Sequence, residues 1–262
     1  MRVSLLTLLT TAAGLALAPR AASAQGEFHW KGKIAQGKSI EIKGVNGDVR
    51  AVAGPGAGDV EVTAVKHARR SDPDEVKIEV VPHEDGVTIC AVYPSDGRRE
   101  NSCDAGEGGH MNVHDNDVTV DFTVRVPAGV RFVGKTVNGE VAAADLSSDV
   151  QANTVNGSIR ISTAGYAEAQ TVNGEIVASL GRATWSDALE FRTVNGGITL
   201  DLPAGLSTEV RATTVNGDIQ TDFPLMVTGR LGPRRLHGTI GSGGRRLALE
   251  TVNGSIRLRK ST

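Results

Sequence analysis

Apolar and polar positions alternate through most of this chain, and the alternation restarts at regular intervals. Leu189, Phe191 and Thr193, then Val210, Ala212 and Thr214, then Leu247, Leu249 and Thr251 occupy every second position. After a short break the pattern resumes at Ile159 and Ile161, at Ile198, Leu200 and Leu202, and at Ile256 and Leu258. Glu190, Arg192, Arg160 and Arg211 fill the intervening places. A period of two belongs to a strand with one face buried and one in water.

The break is itself a repeated phrase: Thr-Val-Asn-Gly, one variable residue, then Ile or Val. It starts at Thr136, Thr154, Thr171, Thr193, Thr214 and Thr251, and Val45-Asn46-Gly47-Asp48-Val49 is a copy without the Thr. Starts lie 18, 17, 22, 21 and 37 residues apart, and the longest gap holds a worn copy, Arg235-Leu236-His237-Gly238-Thr239-Ile240. This period suits one coil of a β-solenoid and is too short for a four-stranded propeller blade.

Asn-Gly tolerates positive φ at little steric cost, so a corner is expected at each copy. The corners are Asn46-Gly47, Asn138-Gly139, Asn156-Gly157, Asn173-Gly174, Asn195-Gly196, Asn216-Gly217 and Asn253-Gly254. Two folds accept strand, corner, strand in series. An antiparallel meander would close each Asn-Gly as a two-residue hairpin. A parallel solenoid would turn the same corner of successive coils about 4.8 Å apart, stacking Thr, Val and Asn in ladders. Identity at every copy is useful where like stacks on like. The expectation is therefore all-β, a parallel β-solenoid (β-helix-like), with the meander as its alternative.

From 25 to 129 the phrase is mostly absent and the strands are longer. Val76, Ile78 and Val80 lead through Glu84-Asp85-Gly86 to Val87, Ile89 and Ala91, which reads as a hairpin. A long polar loop, 94–117, precedes the regular strand of Val118, Val120, Phe122, Val124 and Val126. The expected division is an N-terminal β region over 25–129, capping one end, and solenoid repeats over 130–262. Arg257, Arg259 and Lys260 would charge the other end against edge pairing.

Residues 1–24 have the make-up of a secretory signal. Arg2 precedes an apolar run from Leu5 to Ala18, and Ala22-Ser23-Ala24 is a small-residue cleavage site. The run is short for a membrane span, so none is expected after signal removal, with an uncleaved anchor as the alternative. An exported location follows: periplasmic, cell surface or extracellular. Such a compartment favours a disulfide between Cys90 and Cys103; free thiols or half a metal site are the alternatives. A net charge of −2 with mixed signs gives no footprint for nucleic acid or an anionic membrane. Glycine is abundant at 32 residues and aromatics make up only 3%, which fits thin coils better than a thick core.

Together with the repeats, Val124-Arg125-Val126-Pro127-Ala128-Gly129 and the run from Gly238 to Gly244 ahead of Thr251 resemble the bacterial putative-adhesin β-repeat family. That family is a domain of unknown function, related in pattern to head-domain auto-transporter adhesins. The resemblance implies a β-solenoid over nearly all the mature chain, and no catalytic residues come with it.

The acids following Asn-Gly are Asp48, Glu140, Glu175 and Asp218, which stacking would align along one corner. Paired carboxylates are what glycoside hydrolysis needs. Ser158, Gly197, Thr239 and Ser255 dilute the row, as in a solvated corner that avoids stacked like charge. In the long loop, Asp104, Glu107, His110, His114, Asp115 and Asp117 are candidate metal ligands. The glycines at 106, 108 and 109 argue against the helix that would set His110 and His114 on one face, and a hydrated loop is the alternative. Gly241-Ser242-Gly243-Gly244 lacks the Lys-Ser/Thr ending of a phosphate loop. The expected function is a non-enzymatic secreted or cell-envelope interaction module, without cofactor, presenting a regular surface to an envelope glycan or envelope protein. The alternative is a carbohydrate-active enzyme, a lyase or hydrolase, on the same scaffold.

Overall fold

The structure, a computed structural model, describes residues 27–55, 59–95, 97, 99–183, 185–227, 232 and 234–261. The export signal expected over 1–24 lies outside them. The N-terminal part forms β1 (Phe28–Lys33), β2 (Ser39–Lys43), β3 (Val49–Ala53), β4 (Asp59–His67), β5 (Lys77–His83), β6 (Gly86–Val92) and β7 (Thr119–Val126). The regular repeats form β8 (Arg131–Lys135), β9 (Val141–Leu146), β10 (Val150–Asn153), β11 (Ile159–Thr163), β12 (Ala167–Gln170), β13 (Ile176–Leu180), β14 (Leu189–Arg192) and β15 (Ile198–Leu202). The chain ends with β16 (Thr208–Asn216), β17 (Ile219–Thr221), β18 (Met226–Val227), β19 (Arg235–Ile240), β20 (Arg246–Asn253) and β21 (Ile256–Lys260). No α-helix occurs among the described residues, and hence none long and apolar enough to cross a membrane.

Two large sheets result. One runs β1-β4-β7-β3-β9-β11-β13-β15-β21-β17 and the other β18-β19-β16-β20-β14-β12-β10-β8-β2-β6-β5. Each repeat carries the chain from the second sheet across its Asn-Gly corner to the first, as from β10 to β11. Neighbouring copies pair parallel and in register, Ala152 with Ala169 and Ile159 with Ile176. The all-β, mostly parallel, solenoid-like architecture read from the repeat is the one the chain adopts. The alternating apolar residues meet between the sheets, where Phe132, Phe191, Ile159, Ile176 and Leu189 are sealed from water. Each such side chain stabilises the fold by roughly 1.5–3 kcal/mol.

Rung order departs from sequence order at both ends. The earliest copy, β2 and β3, lies between β6/β7 and β8/β9, so the sheets run unbroken from the N-terminal strands into the repeats. The last copy, β20 and β21, slots between β14/β15 and β16/β17. Corners therefore stack in the order Asn46, Asn138, Asn156, Asn173, Asn195, Asn253, Asn216.

Three expectations need correction. The worn copy is not a rung: it is β19, antiparallel to β16, reversing the chain so that β20 can enter beside β16. His237 accordingly sits within a strand, its Nε2 3.1 Å from Glu209 Oε1. Arg257 does not guard a free end, because β21 is paired with both β15 and β17 there; the β17 pairing stops at Leu258, and Arg259 and Lys260 pair with β15. The corner glycines are also needed for another reason than the one expected, since only Gly47 of the seven has positive φ, 121°. A Cβ on Gly139, Gly157, Gly174, Gly196, Gly217 or Gly254 would fall on the glycine carbonyl of the neighbouring rung. Glycine is there because the rungs approach too closely for any side chain.

Candidate binding surface

Each residue of the repeated phrase has its own surroundings. The threonines are buried and donate to the glycine carbonyl of the adjacent rung, Thr154 to Gly139 at 3.0 Å, Thr171 to Gly157 at 2.9 Å and Thr251 to Gly196 at 2.8 Å. The asparagines form an amide ladder, Nδ2 to Oδ1, at 2.8 Å from Asn156 to Asn138 and 2.7 Å from Asn173 to Asn156. Each such bond contributes about 1 kcal/mol net. The valine has no comparable internal role. Val137, Val155, Val172, Val252 and Val215 are 38–52% exposed, forming an apolar ridge along the edge of the stack. A repeated apolar side chain facing water points outward to a partner more than inward to the fold.

Beside the ridge, on the outer face of the second sheet, the register aligns Lys135, Asn153, Gln170 and Arg192. Ridge and sheet bound an open groove of about 630 Å³. Gln151, Asn153 and Gln170 line it on one side and Val155, Val172 and Val194 on the other, with Glu107 of the long loop also lining it. Amides that donate and accept, next to aliphatic side chains and with Lys135 and Arg192 also on the lining, suit a polar chain with alternating wet and dry patches.

The long loop is tied down where it meets this groove. Cys90 of β6 is disulfide-bonded to Cys103, closing a loop of a size worth about 3 kcal/mol. Lys43 donates to the carbonyls of Asp104 at 2.6 Å and Gly108 at 3.0 Å. Lys135 reaches the Gly106 carbonyl at 3.0 Å, Glu107 at 2.7 Å and Glu41 at 3.1 Å. Burial opposes the charge on Lys135, but its bonds to Glu107 and Glu41 outweigh that and raise its pKa. Burial lowers that of Lys43. Glu41, buried at the base, also accepts from the Thr88 hydroxyl at 2.8 Å and the Gly106 amide at 2.9 Å. Glu41, Lys43 and Lys135 are positioning residues that composition and local pattern gave no reason to single out.

Neither candidate chemistry is assembled. Glu140 and Glu175 lie on either side of Arg160, at 3.7 and 2.7 Å, and Asp48 pairs with Arg50. Asp218 stands at the far end of the stack, beyond the rungs of Gly197 and Ser255. The loop residues are also dispersed. His114 lies 3.2 Å from its exposed neighbour Asp115, and the His110 backbone pairs with Ser102. Among the described residues no three His, Cys, Asp or Glu side chains are placed to share a metal. Asp117 accepts from the Ser71 amide at 2.9 Å, and that bond, with others from Ser71 and Arg70, pulls its pKa down to about 2. A depressed value means the contact persists above that pH and is lost as pH falls through it. The Ser71 amide resonance should therefore titrate with a midpoint near pH 2. A midpoint at the ordinary carboxylate value would show the two groups to be separate.

Among solved structures, the chain is similar to a protein described as a "putative cell adhesion protein" from Clostridium sporogenes ATCC 15579. The two are 11% identical with a TM-score of 0.46, over 90% of this chain and 100% of that one. A "putative adhesin" from Bacteroides fragilis NCTC 9343 is 13% identical with a TM-score of 0.37, over 89% and 97%. No curated protein matches the chain. The Toastrack DUF4097 family model matches residues 56–259, spanning the disulfide loop and all but the first of the Asn-Gly rungs, and the chain belongs to that family.

Proposed function

We propose that this chain is an exported, non-enzymatic interaction module that holds a repetitive envelope glycan along the valine ridge. The observation that carries this reading is the ridge of exposed valines beside a polar row in which the amides of Asn153 and Gln170 lie between Lys135 and Arg192. Aliphatic side chains suit the C–H faces of sugar rings, and amides suit their hydroxyls. Each rung contributes little, and repetition multiplies weak contacts into avidity. Export agrees with the Cys90–Cys103 disulfide and with the composition of residues 1–24. Binding rather than cleavage agrees with carboxylates that reach solvent and are paired to arginine at Glu140 and Glu175.

A glycan array combined with a reducing-end assay tests the reading. Saturable binding without new reducing ends is expected, and Val155→Ser/Val172→Ser should weaken it roughly tenfold by removing apolar contact. Binding indifferent to that double change would remove the ridge from the account. Turnover abolished by Glu140→Gln or Glu175→Gln would establish a carbohydrate-active enzyme instead.

A further inference from the structure

Six of the seven Asn-Gly steps are locked twice. The glycine N–H donates to the asparagine carbonyl of the next rung at 2.9–3.0 Å: Gly47 to Asn138, Gly139 to Asn156, Gly157 to Asn173, Gly174 to Asn195, Gly196 to Asn253 and Gly254 to Asn216. In each of these steps the asparagine Oδ1 also accepts from the next Nδ2, at 2.7–2.8 Å. Asn216 is the last rung. Its Nδ2 donates to Asn253, but among the described residues nothing donates to its Oδ1 and nothing accepts from the Gly217 N–H. The strand that follows, β17, has three residues and pairs on one side only.

The rung contacts missing at these two groups are the ones that elsewhere hold apart the reacting atoms of intramolecular deamidation, the glycine nitrogen and the asparagine Cγ. We propose that Asn216 is a spontaneous modification site, selected because the ladder protects every other copy. The Gly217 nitrogen attacks Cγ of Asn216, forming an N–Cγ bond and losing its proton. The Cγ–Nδ2 bond breaks and Nδ2 leaves with that proton as ammonia, giving a succinimide. Water then adds at either ring carbonyl and opens the ring to aspartate or isoaspartate at position 216. Glycine after the asparagine offers the attack no side-chain obstruction. Aspartate would place a second carboxylate near Asp218 at the open edge. Isoaspartate would lengthen the backbone by one methylene and break the register with Asn253, loosening the terminal rung.

The test is peptide mapping by mass spectrometry of the folded full chain, incubated at neutral and mildly alkaline pH alongside chain unfolded in urea. Incubation lasts until the unfolded chain has converted. In folded protein Asn216 should deamidate at least about tenfold faster than each of the other six, because those must first open two rung contacts. The rate should rise with pH, since the attacking nitrogen must give up its proton. In urea the seven rates should converge. Equal rates in the folded chain, an internal asparagine reacting first, or an inert Asn216 would each overturn the proposal. Asn216→Gln should remove the fast phase and leave the slow ones, separating position 216 from a general opening of the stack.

Discussion

Gly157→Ala should abolish cooperative folding or cost more than about 4 kcal/mol, the range reached by substitutions that violate a packed backbone. The new methyl carbon would lie on the Gly139 carbonyl oxygen, at a corner held to its neighbours by backbone hydrogen bonds on both sides. That oxygen is also the acceptor for the Thr154 hydroxyl, so displacing it breaks a buried bond as well. Urea unfolding of the variant against the parent chain measures the cost. Gly205→Ala is the internal control, since an added Cβ there meets nothing within 4 Å and should leave stability nearly unchanged. A small effect at Gly157 would mean that the rungs are not in backbone contact at their corners.

Glu41→Ala is expected to be the most damaging charge removal, roughly 3 kcal/mol, as when one partner of a buried ion pair is deleted. Lys135, 18% exposed, would keep only the exposed Glu107 as a charged partner, the Gly106 amide would lose its acceptor, and the Thr88 hydroxyl would be left with His83 alone. Glu41→Gln keeps an acceptor for those two donors but not the charge, so it should fall between parent and alanine variant. Because Glu41 anchors the loop that carries Glu107, limited proteolysis within 94–117 should accelerate in the same order. Equal stability of parent and alanine variant would show that the disulfide and the two lysines hold the loop without Glu41.

Much of this architecture was legible because the repeat spells out its own stacking. Period-two alternation identified the buried faces of β11, β14, β15 and β21, and identical Thr-Val-Asn-Gly phrases required like to sit on like. The order of the rungs was not legible, for the same reason. Asn216 and Asn253 carry the same phrase, so exchanging their places leaves every ladder contact satisfied. What decides between them is the reversal through β19, whose sequence looks like one more repeat and whose geometry is antiparallel. The loop clamp was hidden because Glu41, Lys43 and Lys135 come together only when β2 and β8 pair. One signal was present: Lys43 and Lys135 both stand two positions before the valine of their copies, so aligning the repeats puts them in one column. Exposure of the valines was only half legible: continuing the alternation past Thr193 or Thr251 puts the valine on the outer face, but the corner interrupts the alternation at that point.

Everything turns on the rungs being parallel, in register and permuted at the end of the stack, and cysteine pairs read that arrangement directly. Adjacent rungs lie about 4.8 Å apart, within disulfide range, and alternate rungs do not. Oxidation should therefore cross-link Val194→Cys with Val252→Cys, and Val215→Cys with Val252→Cys, leaving Val194→Cys and Val215→Cys unlinked. Ready linkage of positions 194 and 215, with 252 linked to neither, would contradict the account.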